Sequence, residues 1–219
     1  MTNKTLIFLH GFASSDQGTK AQFLRRKCQS EPGVDFQAIN FNPSPRDFEF
    51  MTVTGMINRL RQFILDRALE DVRLIGSSLG ALVALNYVHQ FGGVKNLLLL
   101  APALAYRFGA ARTTTPQWAE TGVGPVFHYA FGRDVPLRYD FEADGKRYSE
   151  AAPPPAPIVI VHGRADDILP ITNSRTYAAA YPDQVQLIEV DSDHTLNDHL
   201  DLIWQQVQAF SLEISEGKK

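Results

Sequence analysis

Short runs of apolar residues alternate along the chain with segments in which apolar residues recur every three or four positions. Several runs are continuously apolar, which is typical of parallel strands whose two faces are both covered by helices. The pattern therefore predicts an α/β fold, with a mostly parallel sheet of about six strands and helices on both faces. The six predicted strands are Thr5–Leu9, Val34–Phe41, Val72–Ile75, Val94–Leu100, Pro157–Val161 and Val185–Val190.

Helical periodicity fills most of the intervals between these strands. The mostly apolar helix Leu79–Phe91 is expected to stop at the glycine pair that follows it, and Ile171–Tyr181 is expected to stop before a proline. Another helix is predicted around residues 56–64. A final helix is predicted from an apolar stripe of Ile203, Val207, Phe210 and Ile214.

Residues 104–156 interrupt this alternation. They contain the paired runs PVFHYA and VPLRYDF and the proline run PPPAP, and their six basic residues are balanced by six acidic ones. We predict that residues 1–219 form a single domain and that residues 104–156 form a lid or a small hairpin inserted into it. A decorative surface insertion is the alternative.

Composition narrows the class of protein. The chain has 219 residues, a net charge of −3 and 44% hydrophobic residues, which suits one globular domain and disfavours a nucleic-acid binder. A single cysteine, Cys28, rules out an internal disulfide and suits a reducing compartment. Because no apolar run is long enough for a signal peptide or a membrane span, we expect a cytoplasmic protein without one. The oligomeric state stays open.

The stretch GSSLG, residues 76–80, carries the first candidate chemistry. It fits the pattern G-x-S-x-G, follows an apolar strand and opens an apolar helix. In such a sharp turn the central serine is held in a strained conformation at the amino end of a helix, where an anion is favoured. The central residue is Ser78, which is therefore the candidate nucleophile, while Ser77 is assigned to local packing.

A serine nucleophile needs a base, and the base needs an acid that orients it. His194 follows the last predicted strand and should lie above the sheet on the side of Ser78, with His199 as the runner-up. Asp166 and Asp167 both come just after the fifth strand. The other histidines fit less well, since they lie inside a helix, in the insertion or before glycines at strand ends; they are His10, His89, His128 and His162.

Four motifs together resemble the α/β-hydrolase superfamily, and in particular its compact intracellular bacterial esterases. LIGSSLGA resembles the nucleophile elbow, HGRADDILP the acid loop, DSDH the histidine loop, and LIFLHGF the turn after an early strand. The resemblance covers nearly the whole chain and implies a catalytic triad of Ser78, Asp166 and His194. It also implies an oxyanion hole formed by the backbone N–H groups of Phe12 and Leu79.

Two departures from the family pattern are visible. The H-G strand begins almost at the first residue, so the sheet is expected to be reduced to about six strands. Asp193 precedes the histidine where the family often has glycine, and its carboxylate either raises the pKa of the base or faces solvent.

The resemblance implies a serine hydrolase that cleaves small carboxylic esters or thioesters through an acyl-enzyme on Ser78. The alternatives are a non-catalytic scaffold of the same fold that binds a small ligand or a protein, and a peptidase, lactonase or C–C hydrolase. No cofactor is expected, since no G-x-G-x-x-G follows a strand. The run DSDHTLNDH is disfavoured as a metal site, because no second cluster is placed to complete it.

Overall fold

The computed structural model describes residues 4–106, 108 and 116–212. The first half of the chain contains β1 (Lys4–Leu9), α1 (Thr19–Cys28), β2 (Val34–Ile39), α2 (Pro45–Glu49), α3 (Val53–Asp66), β3 (Val72–Ser77), α4 (Leu79–Phe91) and β4 (Val94–Leu100). The second half contains α5 (Pro116–Thr121), β5 (Val123–His128), β6 (Arg133–Arg138), α6 (Asp140–Gly145), β7 (Ile158–Gly163), α7 (Ile171–Ala180), β8 (Val185–Val190) and α8 (Leu200–Gln206). Short 3-10 turns cover Lys146–Tyr148 and Asn197–His199, and a π-helical turn covers Val207–Ser211.

Six strands form one sheet in the order β2-β1-β3-β4-β7-β8, and every neighbouring pair is parallel. The predicted six-stranded sheet is therefore confirmed. Since parallel strands end at the same edge, the loops after β1, β2, β3, β7 and β8 all gather along one rim of the sheet. The candidate residues lie in these loops.

Helices cover both faces of the sheet, as predicted. One face packs against α1 and α8, whose buried residues include Leu24 and Ile203. The other face packs against α3, α4 and α7, whose buried residues include Leu60, Leu85 and Tyr177. Both faces of the central strands are thereby removed from water, which accounts for their continuously apolar sequences.

Helix α1 has too few apolar residues for the pattern to reveal it. Its sequence TKAQFLRRKC buries only Ala21, Leu24 and Cys28, which are spaced three and four apart on one side. Burial raises the pKa of the Cys28 thiol to about 12, and the charge of Glu31 adds to the effect. The thiol is therefore part of the packing between α1 and the sheet.

Several predicted boundaries were wrong by one or two residues, and β3 and β7 each end two residues later than predicted. Strand β2 ends at Ile39 rather than Phe41, because the backbone N–H of Phe41 donates to the His10 ring at 3.1 Å instead of continuing the ladder. The predicted final helix gives way after Gln206 to a π-helical turn. Ile214 of its predicted stripe lies outside the described residues.

The described part of the insertion packs onto the same core as α3 and α4. Strands β5 and β6 form an antiparallel hairpin within it. Val135, Leu137 and Phe141 are buried in this core. The Asp144 carboxylate also accepts hydrogen bonds from the backbone N–H and the hydroxyl of Thr54, at 2.8 and 2.6 Å. That the segment acts as a lid stays a prediction.

Candidate active site

The turn between β3 and α4 is tight because two glycines allow backbone to approach backbone. A Cβ on Gly76 would lie 2.5 Å from the Cα of Ala81, and a Cβ on Gly80 would lie 2.2 Å from the carbonyl oxygen of Leu9. Real Cβ atoms do not come this close to backbone, so both positions require glycine. The two glycines thereby seat the start of α4 directly against the end of β1.

Ser78 lies at the apex of this turn with a backbone φ of 53° and ψ of −114°. A positive φ is costly for a residue with a side chain, and it persists only where surrounding contacts impose it. Those contacts are present, since the N–H of Ser78 donates to the carbonyl of Leu100 at 2.9 Å. The Ser78 carbonyl in turn accepts from the N–H groups of Ala81 and Ala103 at 3.0 and 3.3 Å. The hydroxyl is thereby held above the sheet.

His194 connects the candidate nucleophile to the candidate acid. Its Nε2 lies 3.0 Å from Ser78 Oγ, and its Nδ1 lies 2.7 Å from Asp166 Oδ2. An ionised carboxylate can only accept, so the proton of the neutral ring is on Nδ1 and Nε2 is free to accept from the Ser78 hydroxyl. The imidazole is therefore oriented as a base toward Ser78.

Asp166 is buried and receives four hydrogen bonds from other groups. Oδ1 accepts from the backbone N–H groups of Ile168 and Leu169 at 2.9 and 2.8 Å, and Oδ2 accepts from His194 and His162. Burial alone would raise the pKa of this carboxyl. The hydrogen bonds from His162, His194 and Leu169 outweigh burial and hold its pKa well below the usual range. The acid is thus a stable anion beside the imidazole.

His162 is a neighbour of Asp166 that the sequence analysis did not place at the candidate site. Its ring is fully buried, and its Nε2 lies 3.0 Å from Asp166 Oδ2 and 2.9 Å from the carbonyl oxygen of Leu169. Both atoms are acceptors, so Nε2 carries a proton and Nδ1 accepts from the Ser174 hydroxyl at 2.7 Å. The only signal in the sequence is its place before the glycine of HGRADDILP, and that place also suits a loop-organising histidine.

The loop after β1 lies against the nucleophile. A Cβ on Gly11 would be 3.3 Å from Ser78 Cβ, and the ring of Phe12 packs against Phe48 with centroids 5.6 Å apart. Within the described ranges, neither the N–H of Phe12 nor that of Leu79 donates to another protein group. Both groups are free to bind an oxyanion, and this role stays a prediction.

The competing candidates are not brought to Ser78. His199 Nε2 faces the backbone carbonyl of Asp191 at 3.3 Å, and Asp167 is exposed. Asp193 accepts hydrogen bonds from the N–H and the hydroxyl of Thr195, both at 2.7 Å, so its carboxylate shapes the histidine loop. The choice of Asp166 over Asp167 and of His194 over His199 therefore agrees with the geometry.

Metal ligation and membrane insertion find no support in the parts of the chain that the structure describes. No group of three or more His, Cys, Asp or Glu side chains there could hold a metal ion. No helix there combines the length and the apolar character that are needed to cross a membrane.

A family model matches the chain over residues 5–211. The chain belongs to UPF0227, an uncharacterised protein family. No curated protein matches it by sequence.

Solved structures match nearly the whole chain. They include α/β hydrolase domain-containing protein 10 from mouse, with a TM-score of 0.77 and 19% identity over 98% of this chain and 93% of that one. Est1E from Butyrivibrio proteoclasticus with bound ferulic acid has a TM-score of 0.76 and 20% identity, over 97% of this chain and 89% of that one. The monoacylglycerol lipase of Paleococcus ferrophilus has a TM-score of 0.70 and 14% identity, over 95% of this chain and 96% of that one. The chain therefore has the α/β-hydrolase fold, as the motifs predicted.

Proposed function

We propose that the protein is a serine hydrolase that cleaves carboxylic esters or thioesters through an acyl-enzyme on Ser78. The observation that carries the proposal is the continuous hydrogen-bonded chain from Ser78 through His194 to Asp166. The likeness to esterase and lipase structures agrees with it but establishes only the fold.

In the proposed reaction, Ser78 Oγ attacks the acyl carbon while His194 Nε2 takes the hydroxyl proton. The Asp166 carboxylate holds the imidazole in the required tautomer and stabilises its cationic form. The N–H groups of Phe12 and Leu79 would receive the negative oxygen of the tetrahedral intermediate. The bond between the acyl carbon and the leaving atom then breaks, and His194 returns the proton to that atom. Water attacks the acyl-enzyme by the same route and releases the acid.

A fluorophosphonate probe tests the nucleophile directly. We expect covalent labelling of the wild-type protein, with the adduct located on Ser78 by peptide mass spectrometry. Ser78→Ala should abolish both labelling and hydrolysis of p-nitrophenyl butyrate. The matched control is Ser77→Ala, which removes the neighbouring hydroxyl from the end of β3 and should leave labelling in place.

The same experiment separates this proposal from a non-catalytic scaffold. Folded wild-type protein that is neither labelled nor active on short esters, with an intact circular dichroism spectrum, would rule out the hydrolase. Labelling of Ser77 in place of Ser78 would contradict the assigned geometry. Labelling of Ser78 without ester hydrolysis would favour a peptidase, lactonase or C–C hydrolase.

A further inference from the structure

The loop that carries the proposed oxyanion donor Phe12 depends on other segments for its shape. Ala13 has a positive φ of 51°, which is unfavourable for a residue with a side chain. Such a conformation persists only where surrounding contacts impose it. The contacts that reach residues 11–13, which we call the oxyanion loop, therefore determine where the N–H of Phe12 lies.

The first contact fixes the peptide group that contains this N–H. The carbonyl of Gly11 and the N–H of Phe12 belong to one planar, trans peptide group, so they point in opposite directions. Since Nε2 of His10 accepts from the N–H of Phe41, the ring proton is on Nδ1, which donates to the Gly11 carbonyl at 2.8 Å. The N–H of Phe12 is thereby directed away from the buried His10 ring.

The second contact comes from the insertion. The N–H of Tyr129, in the turn between β5 and β6, donates to the carbonyl of Ala13 at 3.0 Å. This hydrogen bond holds the part of the oxyanion loop that follows Phe12, whereas His10 holds the part that precedes it. The side chain of Tyr129 is exposed, so the backbone N–H, rather than burial of the ring, ties the turn to the loop.

The third contact is aromatic. The ring of Phe12 has its centroid 5.6 Å from that of Phe48 on α2 and 5.3 Å from that of Phe141 on α6. Phe48 is itself in edge contact with the buried ring of His128 on β5, with centroids 4.7 Å apart. The insertion therefore contacts the oxyanion loop directly through α6 and the hairpin turn, and through one intervening ring from β5.

The oxyanion loop lies directly against the nucleophile turn. A Cβ on Gly11 would be 3.3 Å from Ser78 Cβ, and a Cβ on Gly80 would be 2.7 Å from the carbonyl oxygen of His10. The chain before Phe12 thus runs along the start of α4, where Leu79 carries the other proposed donor. The two N–H groups can act on one oxygen only while the loop keeps this position.

We propose that the insertion positions the oxyanion hole, and that the hairpin turn does so through the N–H of Tyr129. The inference rests on the proposed function. Tyr129 and Phe141 are positioning residues, because they act on the reaction through the oxyanion loop. This role differs from that of a mobile lid, since an opening movement of the hairpin would carry the Tyr129 donor away from Ala13.

Tyr129→Pro removes this N–H, and Tyr129→Ala is the reference, because it shortens the same exposed side chain but keeps the N–H. Proline suits the position, since the carbonyl of His128 accepts from the N–H of Phe131 at 3.1 Å, which makes Tyr129 the second residue of a turn. With full-length protein and p-nitrophenyl butyrate, we expect kcat of Tyr129→Pro to be about tenfold below that of Tyr129→Ala, with KM unchanged. The loss falls on kcat because the oxygen becomes negative only in the transition state.

A transition-state analogue measures the oxyanion hole without a leaving group. Butane-1-boronic acid forms a tetrahedral adduct with a serine hydroxyl, and this adduct carries a negative charge on its boronate group. Its inhibition constant should be about tenfold higher for Tyr129→Pro than for Tyr129→Ala, in step with the loss of kcat. A defect in stability alone would not raise this constant in the folded fraction.

A second pair of variants tests the aromatic contact and avoids proline. Phe141→Leu removes the ring that contacts Phe12, and we expect kcat and boronate affinity to fall by about three- to tenfold. Trp118→Phe is the control, since Trp118 is also buried in the insertion but its indole N–H donates to the carbonyl of Leu137 at 2.8 Å. It should lower the melting temperature and leave kcat and boronate affinity unchanged. If Tyr129→Pro does not fold, this pair decides.

The outcomes separate this inference from the proposed function. If the wild type hydrolyses the ester but Tyr129→Pro and Phe141→Leu match Tyr129→Ala and Trp118→Phe in kcat and boronate affinity, the inference is overturned and the hydrolase proposal stands. Equal losses in Phe141→Leu and Trp118→Phe would contradict it as well. A folded wild type that neither hydrolyses the ester nor binds the boronate refutes the proposed function, and the inference with it.

Discussion

The buried imidazole of His10 makes the stability of the fold depend on pH. The ring is 1% exposed, its Nδ1 faces the carbonyl oxygen of Gly11 at 2.8 Å, and its Nε2 accepts from the N–H of Phe41 at 3.1 Å. Both nitrogens of the neutral His10 ring therefore have a hydrogen-bond partner. A proton added to Nε2 would face the N–H of Phe41, which is itself a donor. Burial lowers the pKa of His10 from 6.5 to about 4, although the hydrogen bond to Gly11 opposes the effect.

The magnitude follows from the two pKa values. The unfolded chain binds a proton at His10 near pH 6.5, whereas the folded chain binds it only near pH 4. The free energy of unfolding is therefore fully retained above pH 6.5 and decreases as the pH falls toward 4. Since one pKa unit corresponds to about 1.4 kcal/mol, the difference of about 2.5 units gives a loss of about 3 kcal/mol.

Urea unfolding at a series of pH values from about 7.5 to 4.5 measures this loss. His10→Gln keeps an acceptor for the N–H of Phe41 but cannot be protonated, so its free energy of unfolding should fall by about 2–3 kcal/mol less than that of the wild type. The exposed His89 on α4 provides the control, and His89→Gln should follow the wild-type curve. If His10→Gln loses as much as the wild type, the acid sensitivity does not come from His10.

Two further variants test the support of the site. His162→Phe removes one hydrogen bond to Asp166; we expect the pKa of that carboxyl to rise and the acid limb of kcat/KM to move to higher pH, with a loss of about 10–100-fold at neutral pH. Gly80→Ala places a Cβ 2.2 Å from the carbonyl oxygen of Leu9, and we expect a loss of at least about 3 kcal/mol in the free energy of unfolding by urea denaturation.

Each of these variants has a control of the same kind. Tyr177→Phe removes a partly buried hydrogen bond from α7, the helix that also carries Ser174, to the carbonyl of Ala152 at 2.8 Å, and should lower stability without moving the pH profile. If His162→Phe leaves the pH profile of kcat/KM unchanged, the role of His162 is structural only. A Cβ on Gly18 would come no closer than 3.4 Å to a neighbouring atom, so Gly18→Ala should be tolerated. Equal losses in Gly18→Ala and Gly80→Ala would contradict the packing argument.

The sheet and the Ser78 turn could be predicted because their signals are local. A continuously apolar strand, a G-x-S-x-G turn and an apolar helix are adjacent in the chain, so their order specifies their geometry. Asp166 and His194 could be added because parallel strands deliver the loops after them to one rim. The resemblance to the α/β-hydrolase superfamily then selected Asp166 over Asp167 and His194 over His199.

Other features depend on contacts between distant segments and carry no local signal. The orientation of the His162 ring depends on Ser174 of α7, whose Oγ lies 2.7 Å from Nδ1 of that ring. Helix α1 packs through the buried residues Ala21, Leu24 and Cys28 and the partly buried Phe23, and its other residues are polar. The turn of the β5–β6 hairpin meets the loop after β1, where the N–H of Tyr129 donates to the carbonyl of Ala13 at 3.0 Å.

Two features at the rim that carries Ser78 cost stability. That serine has a strained backbone, and the buried Asn42 has an amide without a hydrogen-bond partner among the described residues. Both are supported by the apolar cores on the two faces of the sheet, whereas the hydrogen bonds to Asp166 keep that buried carboxylate in a favourable ionised form.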